Sequence, residues 1–323
     1  MEKKKILFLF QPHVASGLEE LYETFEVLTI PEGKKFSEEL LSELPTDVAV
    51  LASEFTIPVT AKVIDHFPNL ELIANYAVGF NNIDVAYANS KGITVSNTPQ
   101  AVIQSTAELT LALLLSTSRR VAEWDRKMRK QRSSAKGSLA DGLALDLGRK
   151  TVGIIGYGNI GKRVGQMLQG IGMTVKYNKR HRLTEAEEQA LGITYATVDE
   201  IFQTCDVVSL HTPYTAESHH LVNAERLAMM KPHAMLVNAA RGKVVDEAAL
   251  VEALKKHQIA GAGLDVFEHN DNPLDELYDL ENVTMTPHVG TQTHEARVDM
   301  AIELTNNIVG FFKKDRPIAI VKP

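Results

Sequence analysis

A glycine-punctuated turn between an apolar strand and an amphipathic helix restricts this chain more than any other feature of its sequence. Thr151–Ile155 is a five-residue apolar run. It enters Gly156-Tyr157-Gly158-Asn159-Ile160-Gly161, after which Val164, Met167, Leu168 and Ile171 recur at helical spacing. A lone G-x-G-x-x-G is a weak signal, but between a strand and a helix each glycine has a task. Gly156 permits the tight turn, Gly158 lets backbone approach a pyrophosphate at the helix N-terminus, and Gly161 allows close helix–strand packing. The pattern predicts a dinucleotide site; a purely structural glycine turn is the competing reading.

The surrounding sequence repeats one alternation. Short apolar runs at 5–10, 48–52, 70–77 and 93–96 are separated by stretches with helical spacing, such as Leu18, Leu21, Tyr22 and Phe25. The alternation restarts after Lys150, with strands expected at 151–155, 174–177, 207–211, 235–239, 262–266 and 283–286. Strands alternating with helices imply parallel sheets covered on both faces. Asp246 has the position of an N-cap for the helix carrying Leu250, Val251 and Leu254. One long helix is expected over 101–132 and a terminal helix over 292–313. The last apolar run, 318–321, has no partner in the second sheet and is expected to return to the first. With 323 residues and about 150 per domain, two domains are expected.

Composition excludes several classes. A net charge of −7 argues against a nucleic-acid binder. No run of about 20 apolar residues could form a membrane span. The apolar part of the N-terminus ends at Gln11, Pro12 and His13, so it reads as a first strand rather than a signal peptide. The single cysteine, Cys205, allows no internal disulfide and reads as a core thiol. Cytoplasmic residence is the default expectation. His219, His220, His257 and His269 lack a metal-ligand pattern, so no metal is expected.

The residue after the second strand of a dinucleotide fold meets the adenine ribose, and enzymes using NAD usually place an acid there. Here the chain reads Asn178-Lys179-Arg180-His181-Arg182. With the acid absent and three fixed cations following, NADP(H) is favoured over NAD(H), since Lys and Arg pair with a 2′-phosphate. NAD(H) stays possible if the basic loop is merely solvated.

These motifs and several further on resemble the D-isomer-specific 2-hydroxyacid dehydrogenase family over nearly the whole chain. Val78-Gly79-Phe80-Asn81-Asn82-Ile83-Asp84 is similar to its substrate loop. Asn97-Thr98-Pro99 and Thr106-Ala107-Glu108 resemble the entry to its interdomain helix. His211-Thr212-Pro213, Asn238-Ala239-Ala240-Arg241-Gly242, Gly263-Leu264-Asp265-Val266-Phe267 and Thr286-Pro287-His288-Val289-Gly290 follow in family order. The pattern is most similar to the glyoxylate and hydroxypyruvate reductases.

The resemblance implies an α/β fold of two doubly wound, Rossmann-like parallel-sheet domains with a cleft between them. Residues 1–100 with 292–323 would form a flavodoxin-like substrate-binding domain, and 101–291 the dinucleotide-binding domain. It implies a homodimer formed through the nucleotide-binding domain. It also implies reduction of a small 2-keto acid to the D-2-hydroxy acid, with NAD(P)H as cofactor. Arg241 would bind and polarise the substrate, a task suited to its planar fork, and His288 would be the general acid/base. Val78 and Gly79 would offer backbone N–H groups to the substrate carboxylate. Expected cofactor contacts are Thr106, Gly156, Gly158, Asn159, Ile160, Gly161, Asn178, Lys179, Arg180, His211, Thr212, Pro213, Ala239, Ala240, Arg241, Asp265, His288 and Gly290. Asp265 would hold the nicotinamide carboxamide.

The chain departs from the family where a Glu normally stands five residues after Asp265 and bonds the catalytic histidine. That position is Asn270. Asn270 orients His288 without charge, or a shifted loop brings Glu268 or Asp271 to it, or the pair is lost. Beside the small-substrate reductase stand two alternatives: the same fold acting on a bulkier 2-keto acid, and a dinucleotide-sensing interaction protein with weak activity.

Overall fold

The computed structural model describes residues 3–132, 142–269 and 272–321. It divides into two compact units, Met1–Ile103 with Thr291–Pro323, and Gln104–Gly290.

The first unit is built on five strands: β1 (Lys5–Phe8), β2 (Glu26–Thr29), β3 (Val50–Ser53), β4 (Leu72–Asn75) and β5 (Thr94–Ser96). They lie in the order β2-β1-β3-β4-β5, and every pair is parallel. This is the flavodoxin-like doubly wound order. All four residues of β3 and of β4 are buried, as expected of parallel strands covered on both faces. β2 has no counterpart among the strands expected from sequence. Its burial is only partial, so its edge position leaves no continuous apolar run to read. The run at 318–321 returns to this unit: Ile320 bridges Ser96 antiparallel, and the Val321 N–H donates to the Val95 carbonyl at 2.9 Å. Asn307, in the terminal helix His294–Lys313, secures it by donating to the Asn97 carbonyl and accepting from the Ala319 N–H.

The second unit carries β6 (Thr151–Ile155), β7 (Thr174–Asn178), β8 (Ile193–Tyr195), β9 (Val207–Leu210), β10 (Met235–Asn238), β11 (Gly261–Leu264) and β12 (Val283–Met285). Their order is β12-β11-β10-β9-β6-β7-β8, again all parallel. The period-2 alternation of side chains splits the core. Val208, Leu210 and Leu236 join a cluster with Ile201, Phe202, Leu250 and Leu254. Val152, Ile154, Val207 and Val237 join another with Leu113, Val164 and Leu168. Asp246 caps the helix Glu247–Lys255 by accepting from the Ala249 N–H at 2.9 Å.

The single helix expected over 101–132 is two, Ile103–Ser118 and Val121–Gln131, broken at Arg120 with φ +58°. The first helix ends in a left-handed turn at Arg120, whose N–H donates to the Thr117 carbonyl at 3.1 Å, and the first turn of the second helix carries Glu123. Its carboxylate is buried and is held by Arg120 at 2.5 and 2.7 Å and by Lys127 at 2.6 Å. A buried acid must be paired, and these two cations, three residues before and four after, meet that need. Among the described residues, no helix is long and apolar enough to cross a membrane.

Candidate active site

The chain runs outward from β6 to β8 on one side of the second sheet and from β9 to β12 on the other. The carboxyl ends of β6 and β9 therefore form the switch point where doubly wound folds bind ligands. The glycine turn leaves β6 there, and His211 follows β9. Arg241, Asp265 and His288 follow β10, β11 and β12, so the expected catalytic groups of this unit share one end of one sheet.

At the glycine turn the backbone accounts for the residue types. Gly156 has φ +95°, and a Cβ there would stand 2.5 Å from the His211 carbonyl. A Cβ on Gly161 would stand 2.4 Å from the Gly156 carbonyl oxygen. Gly158 is the N-cap of the helix Asn159–Gly170, and the space beside its Cα is open. A bare helix N-terminus with uncovered backbone fits a pyrophosphate. Burial holds His211 in its neutral form, its pKa down to about 4, with Nε2 at 2.8 Å from the Ser209 hydroxyl.

At the end of β7, Asn178 donates to the Ala196 carbonyl at 2.9 Å, and its own carbonyl accepts from the N–H groups of Gly156 and Tyr157. Lys179 is half-buried. Arg180 pairs with Glu217 at 3.1 Å, both side chains being exposed. Arg182, the third cation expected at a phosphate, is committed elsewhere: it grips Glu188 at 2.8 and 3.0 Å, and Tyr177 donates to the same carboxylate. The loop therefore offers two cations rather than three.

Arg241 precedes the 3-10 turn Gly242–Val244 and donates through Nη1 to the Ala240 carbonyl at 2.6 Å. Asn238, to which the sequence attached no role, shapes this turn. It donates to the Arg241 carbonyl at 3.0 Å and accepts from the Ala240 N–H at 3.0 Å. This is the local side-chain-to-backbone bonding that makes Asn a turn residue.

His288 has φ +55°, in the left-handed region that few non-glycine residues adopt. Its loop is held by Asp265, 1% exposed. The Asp265 carboxylate accepts from the Thr286 hydroxyl (2.7 Å) and from the N–H groups of Val289 (2.8 Å) and Gly290 (3.1 Å). Burial pushes the Asp265 carboxyl above its ordinary range, opposed by these donors and by His288. Thr106 lies near the same loop, its hydroxyl 3.5 Å from where a Cβ on Gly290 would stand.

Glu268, one candidate partner for His288, is placed on a different histidine. One oxygen is 2.5 Å from His220 Nε2, and the other accepts from the Glu247 N–H at 3.2 Å. Burial pushes Glu268 up, but His220 and that amide hold it below the usual carboxylate range. Asn270 and Asp271 lie outside the described residues. In the first unit, Asn97 and Asn75 draw in the carbonyls of Val78 (2.8 Å) and Gly79 (2.7 Å). Among the described residues, no protein acceptor takes the Val78 or Gly79 N–H.

The family model for the D-isomer specific 2-hydroxyacid dehydrogenase NAD-binding domain matches residues 111–290. The chain belongs to the D-isomer specific 2-hydroxyacid dehydrogenases. It is 41% identical over 310 residues to the glyoxylate reductase of Thermococcus onnurineus, covering 95% of this chain and 92% of that one. It is 40% identical to the glyoxylate reductase of Pyrococcus furiosus, covering 98% and 95%. Among solved structures it is similar to the NADPH-dependent glyoxylate/hydroxypyruvate reductase of Sinorhizobium meliloti in complex with NADP and malonate. There the TM-score is 0.85, with 32% identity and coverage of 99% and 97%. It also resembles the D-lactate dehydrogenase of Aquifex aeolicus complexed with NAD and lactic acid, with TM-score 0.83, 29% identity and coverage of 97% and 96%. Membership makes this dehydrogenase an NAD(P)-dependent oxidoreductase that reduces 2-keto acids.

Proposed function

We propose that this dehydrogenase reduces glyoxylate to glycolate and hydroxypyruvate to the D-isomer of its 2-hydroxy acid, with NADPH as the preferred donor. The observation that carries the reading is that Arg241, Asp265 and His288 leave three successive strands of the sheet whose β6 end carries the glycine turn. The dinucleotide, when bound, supplies the hydride. Gly156, Gly158 and Gly161 would hold its pyrophosphate, and Lys179 and Arg180 its 2′-phosphate. Arg241 binds the substrate carboxylate and draws electron density from the carbonyl. In the first unit, Val78 and Gly79 are the proposed substrate contacts, through their backbone N–H groups. His288 gives a proton to the carbonyl oxygen and takes it back in the reverse direction. Position 270 lies outside the described residues, and Asn270→Glu tests it: the pH–rate profile should move upward, and no movement would mean that another residue serves His288.

The NADPH preference is supported by the missing acid at Asn178 and by the Sinorhizobium relative, described as NADPH-dependent. A homodimer through the nucleotide-binding unit is supported by the exposed apolar side chains of Val121, Met128 and Leu143. Sedimentation velocity would check it.

The deciding experiment follows NADPH and NADH oxidation with glyoxylate, hydroxypyruvate and a bulky 2-keto acid such as phenylpyruvate. The highest kcat/KM is expected for a small substrate with NADPH. A better rate with the bulky acid or with NADH would overturn the corresponding half of the proposal. Dinucleotide binding with no turnover of any substrate would favour an interaction protein.

A further inference from the structure

Glu247 opens the helix Glu247–Lys255 and is 3% exposed. Its carboxylate serves a different segment, accepting from the backbone N–H of Glu268 at 2.8 Å and of Leu274 at 2.6 Å. Glu268 reciprocates on the Glu247 N–H and bonds His220 Nε2. The His220 backbone N–H donates to the Lys243 carbonyl at 3.0 Å, inside the turn Gly242–Val244 that directly follows Arg241. The circuit runs from Lys243 through His220, Glu268 and Glu247, and returns along the chain to Lys243. Within it the turn is pressed against the exit of β11, since a Cβ on Gly242 would overlap the Phe267 carbonyl at 1.7 Å.

An acid in the first turn of a helix is ordinarily solvated, where it already complements the helix dipole. A buried carboxylate is tolerated only when its lone pairs are met. Here they are met by two backbone donors six residues apart, so the side chain joins two loops. One leaves β11, and the other leaves β10 carrying Arg241. Asn238 holds the Arg241 turn from the strand side; the circuit holds it from the helix side.

We propose that Glu247, acting with Glu268 and His220, is a positioning brace for Arg241, and that the enzyme's grip on the 2-keto acid depends on it. The proposal rests on the reading of Arg241 as the substrate-binding arginine. A carboxylate accepts at both ends. The amide of Glu247→Gln accepts at one end and turns N–H groups toward a backbone N–H at the other, releasing either Glu268 or Leu274. Displacement of about 1 Å at a reacting geometry is worth up to 10²-fold, and a partial release about tenfold.

The test uses the full chain. Steady-state glyoxylate reduction, inhibition by oxamate (an unreactive isostere of a 2-keto acid), dinucleotide titration by fluorescence, and thermal unfolding are measured for wild type and Glu247→Gln. The KM for glyoxylate and the Ki for oxamate should rise together about tenfold, with dinucleotide affinity within about twofold of wild type. His220→Phe, at a partly exposed ring, breaks the same circuit and should move both constants about threefold in the same direction. It decides the matter if Glu247→Gln does not fold. Unchanged KM and Ki in a folded variant would overturn the brace even if Tm fell, since that is the signature of a helix cap alone. Equal weakening of oxamate and dinucleotide would overturn it as well. A wild type that neither turns over any 2-keto acid nor binds oxamate would instead sink the assignment of Arg241.

Discussion

Asp265→Asn separates the stability of the His288 loop from its function. In the native protein one nearly inaccessible carboxylate accepts three hydrogen bonds, from Thr286, Val289 and Gly290. Burial raises its pKa. A carboxylate with a raised folded pKa contributes stability below its unfolded pKa of about 3.9 and loses that contribution as pH rises through the folded value. At neutral pH the ionised group is thus a burden on the fold. The amide removes that burden, but its NH₂ must face one of the backbone donors, and a buried unpaired donor costs about 1–3 kcal/mol. The two effects oppose, so the net change in stability should stay within about 1 kcal/mol, a Tm shift of about 2–4 °C for a domain of this size. The loop is another matter. His288 sits at φ +55°, a conformation costing on the order of 1–3 kcal/mol that persists only while its surroundings impose it. With one clamp bond gone it relaxes, and kcat for glyoxylate reduction should fall about 10²-fold. Thermal unfolding and steady-state kinetics on one preparation make the comparison. The stability of the variant relative to wild type should also increase as pH rises. A kcat within about threefold of wild type, or a Tm loss of about 10 °C or more, would refute the balance of effects drawn here.

Gly156→Ala forces a Cβ into the His211 backbone at φ +95° and should abolish dinucleotide binding by fluorescence titration, at a strain of at least about 1–2 kcal/mol. Lys179→Ala with Arg180→Ala should lower kcat/KM for NADPH by about tenfold or more and leave NADH nearly unchanged, since each exposed phosphate contact contributes on the order of 1 kcal/mol. His288→Asn, which keeps a residue tolerant of positive φ, should cut kcat by about 10²–10⁴ with dinucleotide affinity retained. Burial pushes Asp206 up, but the Thr151 N–H, His233 and Lys231 bring its pKa down to about 2. A depressed carboxylate stabilises above its unfolded pKa and loses that stability as pH falls through the folded one. Urea unfolding between about pH 5 and pH 1 should therefore show a stability loss smaller by about 2 kcal/mol in Asp206→Asn than in wild type.

The central strands were legible because burial on both faces of a parallel sheet leaves an uninterrupted apolar run, as in β9 and β10. β2 and β8 were not legible, because these edge strands are short, mixed in residue type and only partly buried, whereas the edge strands β5 and β12 coincide with the runs read at 93–96 and 283–286. The glycine turn could be read because backbone geometry dictates residue type at Gly156 and Gly161. The acids behaved differently. Glu123, Glu188, Glu247 and Glu268 look alike in sequence, each an acid in or near a polar stretch. What distinguishes them is the donor each meets: Arg120 for the first, Arg182 for the second, two distant amides for the third, and His220 with an amide for the fourth. Residue type fixes what a carboxylate can accept, but only the fold decides which donors arrive. The same limit applies to the arginines: the sequence offered Arg180 and Arg182 equally to a phosphate, and Glu188, six residues beyond Arg182, removed one of them.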